Sequence, residues 1–205
     1  MQQDSALITF VLDESGSMGS IATEARQGFN QYLEDQVGHG GTTWWTLTTF
    51  NQKVRTRFAA IPGAEVRPLA GDYSPSGMTA LYDAVGSAVT KTQAYLETLG
   101  GERPSDVIVV ILTDGMENAS QQWTDRQVID LITGAEDSGW QFVFLGANQN
   151  SWEVSRRMGI RKGTVVDWEP NAESHSAAMG EAMVSSRDYR TYKAQQFKYR
   201  DRRQR

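Results

Sequence analysis

Two short, nearly unbroken apolar segments constrain the fold of this chain more than any other feature. Residues 107–112 read VIVVIL and residues 6–12 read ALITFVL. Apolar runs of this length are typical of strands buried on both faces, and such strands occur in parallel sheets that are covered by helices. The longest unbroken run has six residues, far fewer than the roughly 20 that cross a bilayer. The sequence therefore predicts an α/β domain built on a buried parallel sheet.

Helical patterns alternate with these runs. Five segments have them: residues 21–37, 81–99, 125–138, 151–158 and 174–199. The first two place apolar side chains on one helical face, as expected for helices that cover a sheet. Thr124 and Gln127 have the spacing of a capping box ahead of the third helix, and Gly139 is a stop signal behind it.

Six segments have strand patterns: residues 6–12, 43–50, 53–58, 107–112, 140–145 and 163–166. Only residues 51–52 separate the second segment from the third, so these two predict an antiparallel hairpin at one sheet edge, with Arg55 and Arg57 facing solvent. Trp44 and Trp45 are adjacent in a strand and must therefore face opposite sides of the sheet. The predicted fold is a mostly parallel six-stranded sheet with one antiparallel edge strand and helices on both faces.

Oxygen-bearing side chains follow the predicted strands where ligands usually bind in such sheets. The segments concerned are residues 13–19 (DESGSMG), 76–79 (SGMT) and 113–115 (TDG). The alternating spacing of Asp13, Ser15 and Ser17 allows a sharply turning loop to direct three side chains to one point. Carboxylate and hydroxyl oxygens without nitrogen or sulfur suit a hard cation such as Mg²⁺.

These three blocks resemble the metal-ion-dependent adhesion site (MIDAS) of the von Willebrand factor A (VWA) domain family. The resemblance rests on D-x-S-x-S at residues 13–17, on Thr79 and on Thr113-Asp114-Gly115, in the family's order and intervals, and it covers roughly residues 6–187. One departure is Met78, which stands where glycine is frequent in the family. The lack of attached modules resembles the stand-alone members of bacteria and their phages.

The resemblance implies a Rossmann-like fold with Mg²⁺ or Mn²⁺ at the top of the sheet; Ca²⁺ is the weaker expectation. Carried over to this sequence, the implied metal ligands are the hydroxyls of Ser15, Ser17 and Thr79 and, directly or through water, the carboxylates of Asp13 and Asp114. In the family, an acidic side chain of a protein partner completes the coordination. The implied function is thus a non-enzymatic, metal-dependent protein-binding module. An alternative is a structural or assembly component in which the metal stabilises the fold.

The same residues also allow purely structural roles. The first block can serve as an N-capping loop, and Thr79 can serve as a helix cap. Glu14 points between the ligand positions and is expected to be solvated, while Glu117 and Asn118 are expected to be loop residues rather than part of the rim.

Composition and missing motifs argue against several classes of enzyme and of metal site. The chain has no cysteine and two histidines, which excludes disulfides, thiolate zinc sites and a cysteine nucleophile. Ser17 resembles a nucleophile elbow, but the required glycine is replaced by Ser15, which also replaces the second aspartate of a haloacid dehalogenase-type site. No P-loop motif is present.

Charge is distributed unevenly along the chain. Residues 187–205 hold eight basic and two acidic residues, a net +6, so that the chain's −5 leaves −11 for residues 1–186. We interpret residues 1–186 as the VWA-type domain and residues 187–205 as a basic C-terminal helical extension or tail. The tail predicts either packing on an acidic protein face or, as the alternative function, association with nucleic acid or a ribonucleoprotein. Its basic residues are Arg187, Arg190, Lys193, Lys198, Arg200, Arg202, Arg203 and Arg205.

The sequence also allows a prediction of the cellular location. The N-terminal residues Met1 to Asp4 lack the basic stretch of a secretory signal, and no apolar run is long enough for a membrane span. A soluble, cytoplasmic protein is therefore predicted.

Trp123, Trp152 and Trp168 are expected near the rim of the sheet or in loops.

Overall fold

The computed structural model describes residues 2–147, 151–169 and 171–203. The strands are β1 (Gln2–Asp13), β2 (Thr42–Phe50), β3 (Val54–Pro62), β4 (Pro104–Thr113), β5 (Gln141–Ala147) and β6 (Thr164–Trp168). The helices are α1 (Ala22–Gly38), α2 (Leu81–Thr98), α3 (Asp125–Asp137), α4 (Ser151–Arg157) and α5 (Ala172–Arg203). Short 3₁₀ segments cover Gly16–Ile21, Gly63–Glu65 and Gly100–Glu102.

In the described part of the chain, all six strands join one sheet in the order β3-β2-β1-β4-β5-β6. β3 pairs antiparallel with β2, and every other neighbouring pair is parallel. The predicted fold class is therefore confirmed: a Rossmann-like, mostly parallel six-stranded sheet with one antiparallel edge strand. The apolar runs of residues 6–12 and 107–112 form the two central strands, as their burial requires.

Side chains that alternate along β1 and β4 build a separate core on each face of the sheet. Ile8 and Phe10 lie in the core under α1 and α5, whereas Val11 and Val109 lie in the core under α2 and α3. Because both faces are covered, residues 6–12 and 107–112 are apolar except for Thr9, whose hydroxyl lies 2.8 Å from that of Thr92 on α2.

The core beneath α1 is dominated by aromatic rings. Phe10, Phe29, Tyr32 and Trp45 make edge-to-face contacts with centroids 5.1–6.2 Å apart. Trp44 lies on the other face of β2, partly buried against a smaller cluster, as the strand pattern predicts.

The capping box at α3 is present. Thr124 Oγ1 accepts a hydrogen bond from the Gln127 backbone N–H at 3.4 Å, and the Thr124 N–H donates to Gln127 Oε1 at 2.9 Å. These bonds satisfy N–H groups that a helix start leaves unpaired. Trp168 is the last residue of β6, at the carboxyl edge of the sheet, and is buried against His175.

Helix α5 is continuous through the boundary predicted between residues 186 and 187, and the first part of the predicted tail packs on the domain. Arg190 is buried; its guanidinium donates to the carbonyl oxygens of Gln36 at 2.9 Å and Gly40 at 2.6 Å. These carbonyls lie at the end of α1, where unpaired acceptors and the helix dipole favour a cation. Arg187 pairs with Asp35 at 3.1 Å. Arg205 lies outside the described residues, as do the side chains from residue 196 onward.

Replacing Arg190 should destabilise the domain more than replacing its neighbour. In Arg190→Ala, the buried Gln36 carbonyl and the partly exposed Gly40 carbonyl lose charged donors, and we expect the free energy of unfolding in urea to fall by about 2–4 kcal/mol. In Arg187→Ala, only a partly exposed ion pair is lost, and the expected change is about 0–1 kcal/mol. Equal effects of the two substitutions would contradict the anchoring role of Arg190.

Candidate metal centre

The carboxyl ends of the two central strands bring the first and third predicted blocks together. Leu12 pairs with Leu112, so Asp13 and Thr113 leave the sheet side by side. Thr113 Oγ1 donates to Asp13 Oδ2 at 2.6 Å, and Asp13 Oδ1 accepts from the Ser15 backbone N–H at 2.7 Å. Both carboxylate oxygens of the buried Asp13 are therefore fixed in direction.

A chain of side-chain oxygens connects the first block with the third. Ser15 Oγ lies 3.2 Å from Ser17 Oγ, and Ser17 Oγ donates to Asp114 Oδ1 at 2.7 Å. Two hydroxyls and a carboxylate thus lie within hydrogen-bonding distance of one another, next to the Asp13 carboxylate.

Thr79 joins this group from the second block. Its hydroxyl lies against Gly115: a Cβ atom at Gly115 would be 2.9 Å from Thr79 Oγ1. Ala80, rather than Thr79, precedes α2, and no side-chain cap is formed there. The structure therefore brings all five predicted metal ligands to one edge of the sheet, and the capping alternative for Thr79 is wrong.

The first loop is held in place by the segment ahead of Thr79. The Gly16 N–H donates to the Gly77 carbonyl at 3.0 Å, and the Ser76 N–H donates to the Glu14 carbonyl at 2.9 Å. Gly77 has φ of +82°, where a side chain would be strained and would also collide with Gln52. Glycine at this position allows the two loops to pair closely.

Glu14 was expected to be solvated, and this expectation is wrong. Its side chain is buried, accepts a hydrogen bond from the Ser74 N–H at 3.1 Å and lies 4.0 Å from the Arg55 guanidinium. The physical reason is that the loop at residues 74–77 returns over the first block and needs an acceptor there. Glu14 thus supports the loop of residues 74–77.

A second set of contacts fixes Thr79 relative to the third block. The Thr79 N–H donates to Asn118 Oδ1 at 2.9 Å, and the Asn118 N–H donates to the Thr79 carbonyl at 3.0 Å. Glu117 accepts from the Tyr82 N–H at 2.8 Å, so it caps the first turn of α2. Glu117 and Asn118 are loop residues, as expected, but their role in bracing the site was not predicted.

Asp83 completes this brace from within α2. Its carboxylate accepts the backbone N–H groups of Gln121, Gln122 and Trp123 at 2.8–2.9 Å. Sequence reasoning missed Asp83; the available signal was an acidic residue in the first turn of an otherwise apolar helix face.

The electrostatics of the edge favour a cation. Burial raises the pKa of Asp13 to about 6, although hydrogen bonds from Thr113 and Ser15 oppose the shift. Burial also raises the pKa of Asp114. Among the described residues, neither carboxylate has an ion-pair partner, so a bound cation would relieve the cost of ionising both.

The donor set fits a hard divalent ion. No group of three or more His, Cys, Asp or Glu side chains suited to a metal occurs in the described part of the chain, so a centre at this edge depends on hydroxyl oxygens as well as carboxylates. Mg²⁺ prefers such oxygen ligands and is commonly held by one or two carboxylates. The residues present therefore fit the ion that the VWA resemblance implies.

Comparison with known proteins gives results at the level of structure. No protein-family model matches the sequence, and no curated protein is significantly similar in sequence. The fold is similar to proximal thread matrix protein 1 from the mussel byssus, solved with a zinc-occupied MIDAS motif, at 19% identity and a TM-score of 0.61 over 90% of this chain and 46% of that chain.

Two further similarities agree. A von Willebrand factor type A protein from Catenulispora acidiphila matches at 13% identity and a TM-score of 0.59, over 94% of this chain and 42% of that chain. Manganese-loaded TRAP protein from Plasmodium vivax matches at 13% identity and 0.52, over 87% and 73%. The chain spans less than half the length of the mussel and Catenulispora proteins. These similarities confirm the VWA fold.

Because Asp13 is buried, we expect the free energy of unfolding to depend on pH when EDTA keeps the protein free of metal. The pKa of Asp13 is raised from 3.8 to about 6 by burial, so the folded state binds this proton more tightly than the unfolded state does. The corresponding stability is fully present below pH ~4 and is lost as the pH rises through about 6. A shift of this size corresponds to about 3 kcal/mol, measurable by urea unfolding from pH 4 to 7.

Asp106 is a second buried carboxylate that should contribute to the same pH dependence. Burial raises its pKa to about 6 as well, so it contributes in the same pH window. Asp13→Asn and Asp106→Asn should each remove part of the slope, and the double variant should remove most of it. An unchanged slope in Asp13→Asn would contradict the assignment.

Proposed function

We propose that this chain, which has the VWA fold, is a non-enzymatic, metal-dependent protein-binding module. A divalent ion, Mg²⁺ in the first place, would be held at the carboxyl edge of the sheet and would capture an Asp or Glu carboxylate of a protein partner. The proposed metal ligands are Asp13, Ser15, Ser17, Thr79 and Asp114.

One observation carries this proposal: five oxygen-bearing side chains from three separate loops meet at one edge, and two of them are carboxylates without a cationic partner among the described residues. Ser17 Oγ donates to Asp114 Oδ1 at 2.7 Å and lies 3.2 Å from Ser15 Oγ, and the Ser15 backbone N–H donates to Asp13 Oδ1 at 2.7 Å. A purely structural hydrogen-bond network has no need for two partly desolvated carboxylates, which cost free energy when they ionise.

The charge of the donor set supports capture of a carboxylate. A bound divalent ion supplies a Lewis-acidic positive charge to which an external carboxylate can bind. Only Asp13 and Asp114 bring formal negative charge, so the loaded edge would be close to neutral and would not repel an acidic side chain. The mussel and Plasmodium proteins, of the same fold, were solved with zinc in the MIDAS motif and loaded with manganese, respectively.

The remaining chemistry of the edge supports binding rather than catalysis. His175, a residue of α5, is buried against Trp168, and His39 follows the last residue of α1. Neither contributes a base to the oxygen cluster. A cytoplasmic location remains a prediction; among the described residues, no helix is long and apolar enough to span a bilayer.

The alternative of nucleic-acid association gains no observation in its favour. Arg187 and Arg190 contact the domain, and Lys193 donates to the Gly139 carbonyl at 3.2 Å. These basic groups of the predicted tail are therefore partly used within the fold.

Metal binding should depend on the third block. Asp114→Ala removes one of the two carboxylates, and we expect the affinity for Mg²⁺ or Mn²⁺ to fall by at least about a hundredfold in calorimetric titration. Asp130→Ala is the matched control, because Asp130 is exposed on α3 and pairs only with Arg126 among the described residues. Wild-type affinity in a folded Asp114→Ala variant would contradict the proposal.

Partner capture should require the ion. Proteins retained from the native host by the wild-type chain in Mg²⁺ should be lost in EDTA and with Asp114→Ala, but kept with Asp130→Ala. A metal ion that only stabilises the fold would instead raise the melting temperature, by mass action, without changing any partner's retention. Retention that survives both EDTA and Asp114→Ala would count against the proposed function.

A further inference from the structure

Two exposed methionines flank the proposed metal ligands. Met78 precedes Thr79 and has 55% of its surface exposed, while Met116 follows Asp114 by two residues and is 61% exposed. Exposed apolar residues are common when scattered, whereas apolar surface with a polar rim is typical of interaction sites. Methionine is flexible and polarisable, and it packs against apolar groups of varied shape.

Met116 also lines a small cleft beside the oxygen cluster. The cleft has a volume of about 120 Å³ and lies between the start of α2, the loop after β4 and helix α4. Its lining residues are Leu81, Tyr82, Met116, Glu117, Val154 and Arg157. A cavity of roughly 150 Å³ lined by apolar groups holds a benzene molecule, so this cleft suits one apolar side chain.

The charged groups at the cleft are already engaged. Glu117 caps the first turn of α2 through the Tyr82 N–H, and Arg157 forms an ion pair with Glu153 one helical turn away. The remaining lining of Leu81, Val154 and Met116 is apolar. An apolar side chain entering the cleft would therefore leave no charge without its partner.

Two residues that line the cleft are close in sequence to proposed metal ligands. Met116 is two residues from Asp114, and Leu81 is two residues from Thr79. Because consecutive Cα atoms are 3.8 Å apart, Met116 and Leu81 each lie no more than about 7 Å from a ligand residue, Cα to Cα. In an extended segment, side chains on the same face recur at about this spacing, every second residue.

We propose that the partner presents an extended segment with an acidic residue and an apolar residue two positions apart, the carboxylate binding at the metal and the apolar side chain entering the cleft lined by Met116, Leu81 and Val154. The inference rests on the proposed function and adds the partner's local chemistry. Charge complementarity selects this occupant: the loaded metal edge attracts a carboxylate, and the adjoining apolar cleft offers nothing to a second charge.

The test uses displayed linear nine-residue peptides with Glu fixed at the centre and the other positions randomised, selected on the full chain in Mg²⁺. A matched library with Gln at the centre reports the requirement for the carboxylate. We expect Leu, Ile, Met or Phe to exceed Ser by about tenfold at a position two residues from Glu. Met116→Gln should reduce this ratio to about one, whereas Val184→Gln, at an exposed apolar position on α5, should leave it unchanged.

The outcomes separate the two proposals. Mg²⁺-dependent selection of Glu over Gln with no apolar preference, or a preference that persists in Met116→Gln, overturns the cleft assignment and leaves the proposed function standing. No Mg²⁺-dependent selection of Glu over Gln overturns both. Sedimentation that shows self-association of the wild-type chain, abolished by Met116→Gln, would assign the cleft to a second copy and would likewise overturn the proposal.

Discussion

The register between the two central strands is the constraint on which the rest of the site depends. β1 and β4 pair in parallel so that Leu12 lies opposite Leu112, and the chain leaves both strands at the same level. Asp13 and Thr113 are therefore neighbours, and Asp114 follows one residue later. A slip of one residue would turn each strand over and move the apolar side chains from one core to the other. The two buried cores that hold this register thus also determine which oxygens meet at the edge.

The three loops at this edge form two braced units that meet at Thr79. On one side, the loop of residues 13–17 pairs with residues 74–77 and is supported by the buried Glu14. On the other side, hydrogen bonds connect the loop after β4 to the first turn of α2. The carboxylate of Asp83 accepts from backbone N–H groups of that loop, and the carboxylate of Glu117 accepts from the Tyr82 N–H. Asp83 and Glu117 accept mainly from backbone N–H groups, whereas Asp13 and Asp114 each accept a hydrogen bond from a hydroxyl, that of Thr113 and that of Ser17 respectively. Preorganisation of this kind lowers the ordering cost of binding an ion, since the ligand loops already have their conformation.

Sequence patterns predicted the sheet because burial on both faces leaves a plain signal in the apolar runs. They placed the oxygen donors because parallel strands deliver their following loops to one edge. They did not predict the burial of Glu14, because its donor, the Ser74 N–H, lies 60 residues away and has no pattern of its own. They also did not predict the anchoring of Arg190, since a basic cluster contains no information about carbonyl groups at the end of a distant helix. Such long-range pairings follow from tertiary structure rather than from local composition.

Within the part of the chain whose side chains the structure describes, the basic start of the predicted tail is not a surface separate from the acidic domain. Arg187 pairs with Asp35, and Arg190 occupies the carbonyl groups at the end of α1, so α5 returns positive charge to the acidic domain. These contacts lie on α1 and on the segment after it, away from Asp13 and Asp114, which gain no cationic partner among the described residues. The carboxylates at the carboxyl edge therefore keep their negative field, and such a field attracts cations and repels polyanions. The edge should therefore bind a metal ion first, and an acidic side chain of a partner should bind only after the ion is in place.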